Sequence, residues 1–86
     1  MKFETTANFT KKTAKLFKKN PRYNTQFKKQ FNLLRENHKH PGLKLHKLKG
    51  NRSNQFALWI EGNIRAICAK ENDTLVFYDL ITHDEY

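Results

Sequence analysis

Eighty-six residues, 37% of them hydrophobic and 13% aromatic, suffice for one sheet covered by one layer of helices and exclude a second core, so the chain reads as one domain over 1–86. A formal charge of +9 excludes an acidic surface and favours a polyanionic partner. The charge is also uneven: residues 1–52 carry fifteen Lys and Arg against Glu4 and Glu36, whereas residues 53–86 carry Arg65 and Lys70 against six acids. Such asymmetry points to a basic first part that meets the partner. Charge by itself leaves RNA, an acidic protein and a merely solubilising surface all open.

The one cysteine, Cys68, excludes an internal disulfide and suits a reducing compartment. It sits in the apolar run Ile64-Arg65-Ala66-Ile67-Cys68-Ala69 and reads as a buried structural thiol rather than a nucleophile. No long apolar stretch follows Met1-Lys2-Phe3-Glu4, so no signal peptide is expected, and no run is long enough to span a bilayer. The expected location is the cytoplasm, away from membranes.

In chain order, Lys2 to Thr6 suits an opening strand. From Asn8 to Asn20, Phe9, Thr13, Leu16 and Phe17 recur on one stripe while Lys11, Lys12, Lys15, Lys18 and Lys19 cover the rest, which predicts an amphipathic helix. Asn20-Pro21 breaks it and starts another, with Pro at the first helical position and Asn as its cap. Tyr23, Phe27, Phe31 and Leu34 mark one face of a second helix ending near Asn37. His38 to Gly42 is a break, Leu43 to Gly50 is extended or irregular, and Asn51 to Asn54 is a polar turn. Gln55–Glu61, Ile64–Lys70 and Thr74–Ile81 are strands joined by Gly62-Asn63 and Asn72-Asp73, a meander. The predicted class is α+β in the order β-α-α-β-β-β: a helical hairpin on one face of a small, mainly antiparallel sheet.

The four histidines, His38, His40, His46 and His83, lack the spacings and cysteine partners of a zinc site, so no metal or other cofactor is expected. A neutral imidazole nonetheless suits proton transfer near neutrality. Arg65 interrupts an apolar strand and alternates with Ile64, Ala66 and Cys68. If those three face the helices, Arg65 stands on the open face, as an anion contact or as an ordinary exposed arginine. Lys44, Lys47, Lys49 and Arg52 surround His46 in sequence and suit phosphate contacts, which add affinity without base preference. The α-helical lysines form a separate patch. Trp59, Phe77 and Tyr78 serve either as base-stacking surfaces or as core.

The segments His40-Pro41-Gly42-Leu43-Lys44-Leu45-His46-Lys47-Leu48-Lys49-Gly50, Ile64-Arg65-Ala66-Ile67 and Thr82-His83-Asp84-Glu85-Tyr86 resemble the RelE/ParE superfamily of type II toxin–antitoxin toxins. The resemblance covers essentially the whole chain and is closest to the RelE branch with its YafQ- and YoeB-like members. It implies an mRNA endoribonuclease (an mRNA interferase) acting in the ribosomal A site and silenced by a cognate antitoxin. It also implies roles: His46 and His83 as catalytic histidines, His83 being the general acid, Arg65 as the phosphate-binding arginine, and Tyr86 as a base-stacking aromatic. Asp79 departs from the pattern, standing where YafQ-like members carry arginine. Phe56-Ala57-Leu58-Trp59-Ile60 lacks the lysines that RelE itself uses. Two other readings compete: a ParE-like toxin that binds DNA gyrase without catalysis, and a decayed RNA- or antitoxin-binding module.

Overall fold

A computed structural model describes residues 2–48 and 54–82. Strand β1 (Lys2–Thr5) leads through Thr6 into helix α1 (Ala7–Lys19). The Thr6 hydroxyl accepts the Phe9 N–H at 3.3 Å and donates to the Phe77 carbonyl at 3.2 Å, so one side chain caps the helix and ties it to the last strand. Asn20 ends α1 in extended conformation, and α2 runs Arg22–Glu36. Pro21, not Asn20, is the residue flanking α2, already in helical geometry and with no side-chain cap. Asn20 contributes its carbonyl instead, accepting the Tyr23 N–H at 3.1 Å.

A single 3-10 turn, Pro41–Leu43, follows. Within the stretch expected to be extended or irregular, His46–Lys47 forms a two-residue strand, β2. The meander is β3 (Gln55–Glu61), β4 (Ile64–Glu71) and β5 (Thr74–Ile81). The five-stranded sheet has the order β1-β5-β4-β3-β2, with β1 parallel to β5 and every other pair antiparallel. The predicted fold class therefore holds, with β2 as an added edge strand.

Strand alternation divides the sheet. Leu58, Ile60, Ile64, Ala66, Cys68, Leu75, Phe77 and Leu80 join Phe9, Phe27, Leu34 and Leu43 in one buried cluster between sheet and helices. Phe31 packs edge-on against Phe77 with ring centroids 4.9 Å apart, and Phe17 meets Phe27 at 5.0 Å. Each fully buried side chain of this size contributes about 1.5–3 kcal/mol by leaving water, and edge-to-face pairs add about 0.5–1.5 kcal/mol. Burial pushes the Cys68 thiol up to about 12, so it stays protonated and inert, as a structural thiol should.

The β3–β4 ladder is irregular between Trp59 and Glu61. There two glutamines one turn apart on α2 supply donors: Gln26 Nε2 to the Ile60 carbonyl at 2.9 Å, and Gln30 Nε2 to the Trp59 carbonyl at 2.8 Å. Gln30, 2% exposed, also donates to the Gly42 carbonyl at 3.2 Å. One buried amide thus joins α2, the 3-10 turn and β3, satisfying groups that would be costly to bury unpaired.

Candidate active site

Among the described residues, no helix covers the other face of the sheet. Since Ile64, Ala66 and Cys68 belong to the helix-side cluster, alternation sets Arg65 on the open face. In register, His46 lies opposite Ala57 and Ala57 opposite Ile67, while Trp59 lies opposite Arg65 and Arg65 opposite Ile81. Directly opposed residues share a face. His46, Trp59 and Arg65 therefore stand on the same side of the sheet. Ala57 and Ile67, each 3% exposed, form an apolar floor beneath them.

Both ends of this floor are fixed by hydrogen bonds. At one end the Gly62 carbonyl accepts from the Trp59 indole N–H at 2.9 Å and from Arg65 Nη1 at 2.9 Å, with a longer Arg65 contact to the Ile64 carbonyl at 3.4 Å. Gly62 sits at φ 55, in the left-handed region where glycine is favoured and hairpin turns of this length require it. At the other end the Tyr78 hydroxyl donates to Gln55 Oε1 at 2.7 Å, bridging β5 and β3 over β4. The Tyr78 ring is thus anchored by its hydroxyl, and Phe77 is core.

His46 is exposed on β2, and its Nδ1 lies 2.9 Å from the Lys44 carbonyl. A carbonyl can only accept, so in the neutral ring this contact places the proton on Nδ1 and leaves the lone pair on Nε2. That tautomer can take a proton at Nε2. Ordinary strand spacing of about 4.8 Å and a rise of about 3.4 Å per residue set the His46 and Arg65 α-carbons roughly 12 Å apart, across two strands and two residues along. That spacing is compatible with both side chains reaching one phosphodiester from opposite sides.

Lys44 adopts φ 47 and holds its ammonium over the Trp59 ring, 4.7 Å from the centroid. It shares the His46 side of the molecule. Lys47 does not: it alternates with His46 and lies opposite Phe56, on the helix side of the edge strand. His83, Tyr86, Lys49 and Arg52 lie outside the described residues, as does the expected turn over 51–54 except Asn54, which is in a turn. Among the described residues, no three of His, Cys, Asp and Glu gather as metal ligands, and no helix is long and apolar enough to cross a membrane.

Asp79, the departure noted in the sequence, is held by an ion pair: Lys12 Nζ donates to Oδ1 at 2.6 Å, and the Leu80 N–H donates to the same oxygen at 2.8 Å. Partial burial opposes the carboxylate's charge, but these two donors and the Lys12 charge outweigh it and hold the pKa below the usual carboxylate range. Lys12 therefore has a partner within the chain, while Lys11, Lys15, Lys18 and Lys19 remain exposed. The shared acceptor at Gly62, the left-handed Lys44 and the Tyr78–Gln55 bridge were not foreseen. Trp59 and Arg65 carried the available signal, polar or aromatic side chains alternating with apolar ones on adjacent strands.

No protein-family model matches this chain, and no curated protein matches it by sequence. Solved structures do. YafQ from E. coli superposes with a TM-score of 0.72 at 21% identity, covering 95% of this chain and 92% of that one. The E. coli DinJ-YafQ toxin-antitoxin complex gives 0.74 at 23% identity over 95% and 91%. A YoeB/ParE toxin from Agrobacterium tumefaciens gives 0.74 at 14% identity over 96% and 99%. With two helices packed on one face of a mainly antiparallel sheet in the same arrangement, the chain has the fold of the RelE/ParE toxin superfamily.

Proposed function

We propose that this chain is the toxin of a type II toxin–antitoxin system: a cytoplasmic, ribosome-dependent mRNA endoribonuclease that inhibits translation and is neutralised by a cognate antitoxin. The observation that carries the reading is the His46–Arg65 arrangement on the open face, with the His46 tautomer set to accept a proton at Nε2. The shared fold with YafQ and with a YoeB/ParE toxin supports it.

Metal-independent cleavage of RNA needs a base, a cation and an acid. His46 Nε2 takes the 2′-hydroxyl proton as the 2′-oxygen bonds to phosphorus. Arg65 stabilises the charge that grows on the non-bridging oxygens. The bond from phosphorus to the 5′-oxygen then breaks, and His83 protonates that oxygen, leaving a 2′,3′-cyclic phosphate. Lys44, Lys49 and Arg52 hold neighbouring phosphates, and Tyr86 stacks on a base. DNA lacks the 2′-hydroxyl nucleophile and is inert.

The antitoxin has its own surface. An apolar groove of about 230 Å³ between β1, α1 and α2 is lined by Phe3, Phe9, Phe17, Phe27 and Phe31, with Lys28 beside them. Next to exposed lysines of α1, it suits the apolar side of an acidic amphipathic segment. Primer extension on translated mRNA tests the catalytic reading: the wild type cuts, and Arg65→Ala does not. A protein that blocks DNA supercoiling by gyrase while leaving mRNA whole would replace this reading with the ParE-like one.

A further inference from the structure

The chain between α2 and β2 turns around a pocket of about 400 Å³ lined by His38, Lys39, His40, Pro41, Lys44 and Leu45. Among the described residues, two lysines and two histidines line it and no carboxylate does. Its best-defined donor is His40. The Gly42 N–H donates to His40 Nδ1 at 2.9 Å. A backbone N–H can only donate, so Nδ1 holds the lone pair and the ring proton sits on Nε2. The ring lies close over Gly42: a Cβ there would fall 3.1 Å from His40 Nδ1 and 3.2 Å from Cε1, so glycine is what lets the imidazole lie against the backbone. Gln30 anchors that backbone from below through the Gly42 carbonyl.

Lys44 joins this pocket to the candidate active site. Its N–H closes the 3-10 turn on the Pro41 carbonyl at 3.2 Å, its own carbonyl accepts a hydrogen bond from His46 Nδ1, and its side chain lines the pocket. The two histidines six residues apart are thereby held in opposite tautomers, His46 with a free lone pair at Nε2 and His40 with an N–H there. One is set to accept a proton and the other to donate a hydrogen bond.

We propose that this pocket is a second anion site that binds an RNA backbone phosphate flanking the one to be cut, through the His40 Nε2–H and the ammonium groups of Lys39 and Lys44. It rests on the endoribonuclease reading and extends it. Its role is to bind and hold the strand, leaving proton transfer to other groups. Such a contact raises affinity and salt dependence without changing the chemical step.

The test uses single-turnover cleavage of mRNA on programmed ribosomes over a range of protein and salt concentrations. The variants are Lys39→Ala and His40→Asn, the latter chosen because an Asn side chain can accept the N–H two residues on and so keep the turn while losing the imidazole N–H. Thermal melts check that both fold. Each should raise the protein concentration for half-maximal cleavage about threefold to tenfold with the maximal rate unchanged, and Lys39→Ala should flatten the logarithmic salt dependence by about 0.7, the share of one single-stranded phosphate contact. Unchanged half-saturation and salt slope in folded variants, while the wild type cuts and His46→Ala does not, would overturn the pocket and leave the nuclease standing. A wild type that cuts nothing would overturn both.

Discussion

The two faces of this sheet obey different rules although they are made by the same strands. On the helix side, the inward positions are apolar apart from Thr13 and Gln30, seven phenylalanines are available to the chain, and side chains interlock so that each supports several others. On the open side, Ala57 and Ile67 floor a surface whose ends are set by a few hydrogen bonds, two at the Gly62 carbonyl and one between Tyr78 and Gln55. The first face stores the free energy of folding. The second is free to spend its residues on a ligand, since removing one of them leaves no large cavity.

Exchanging truncations between the faces tests that contrast. Phe77→Ala, deep in the aromatic cluster, should cost about 3–5 kcal/mol of stability, read as a large fall in melting temperature. His46→Ala should do the reverse, leaving the melt within a degree or two of wild type while slowing mRNA cleavage about a hundredfold to ten-thousandfold. A His46→Ala protein that melts early, or that cuts at the wild-type rate, would erase the distinction between the faces.

Gln30 sharpens it, because it is polar yet belongs to the structural side. Gln30→Ala leaves the Trp59 and Gly42 carbonyls without its amide and should cost about 1–3 kcal/mol, seen as a lower denaturant midpoint. The smallest effect belongs to Asp79, partly exposed at the sheet's end. Its folded pKa is depressed, so its contribution is complete above the ordinary value of 3.8 and fades as pH falls through the folded value. Asp79→Asn should therefore melt slightly below wild type at pH 7, by less than about 1 kcal/mol, and the two melting curves should converge in acid. A gap that persists or widens at low pH would show that the Lys12 pair is not its source.

How much of this was legible beforehand follows the same division. The stripe Phe9, Thr13, Leu16, Phe17 and the face Tyr23, Phe27, Phe31, Leu34 located both helices to within a residue or so, because helical period is a local property. Gly62-Asn63 and Asn72-Asp73 located the turns of the meander, and alternation alone put Arg65 opposite the core. Thr6 as a cap was missed because its second partner, the Phe77 carbonyl, is seventy-one residues away. Strand β2 is only two residues long, and its pairing with β3 depends on a register that no local pattern states. That register decides the sides of His46 and Lys47, which is why adjacency in sequence grouped two residues that the sheet separates. Lys44 at positive φ carried no signal either, since non-glycine residues rarely take that conformation.

In the proposed function, the open face cuts RNA by using the RNA's own 2′-hydroxyl. It is tested most directly with a ribosome-bound message carrying a single 2′-deoxy substitution at the mapped cleavage position. The all-ribose message should be cut to a 5′-fragment ending in a 2′,3′-cyclic phosphate, and the substituted message should survive at that position. Equal cutting of both messages would contradict the account.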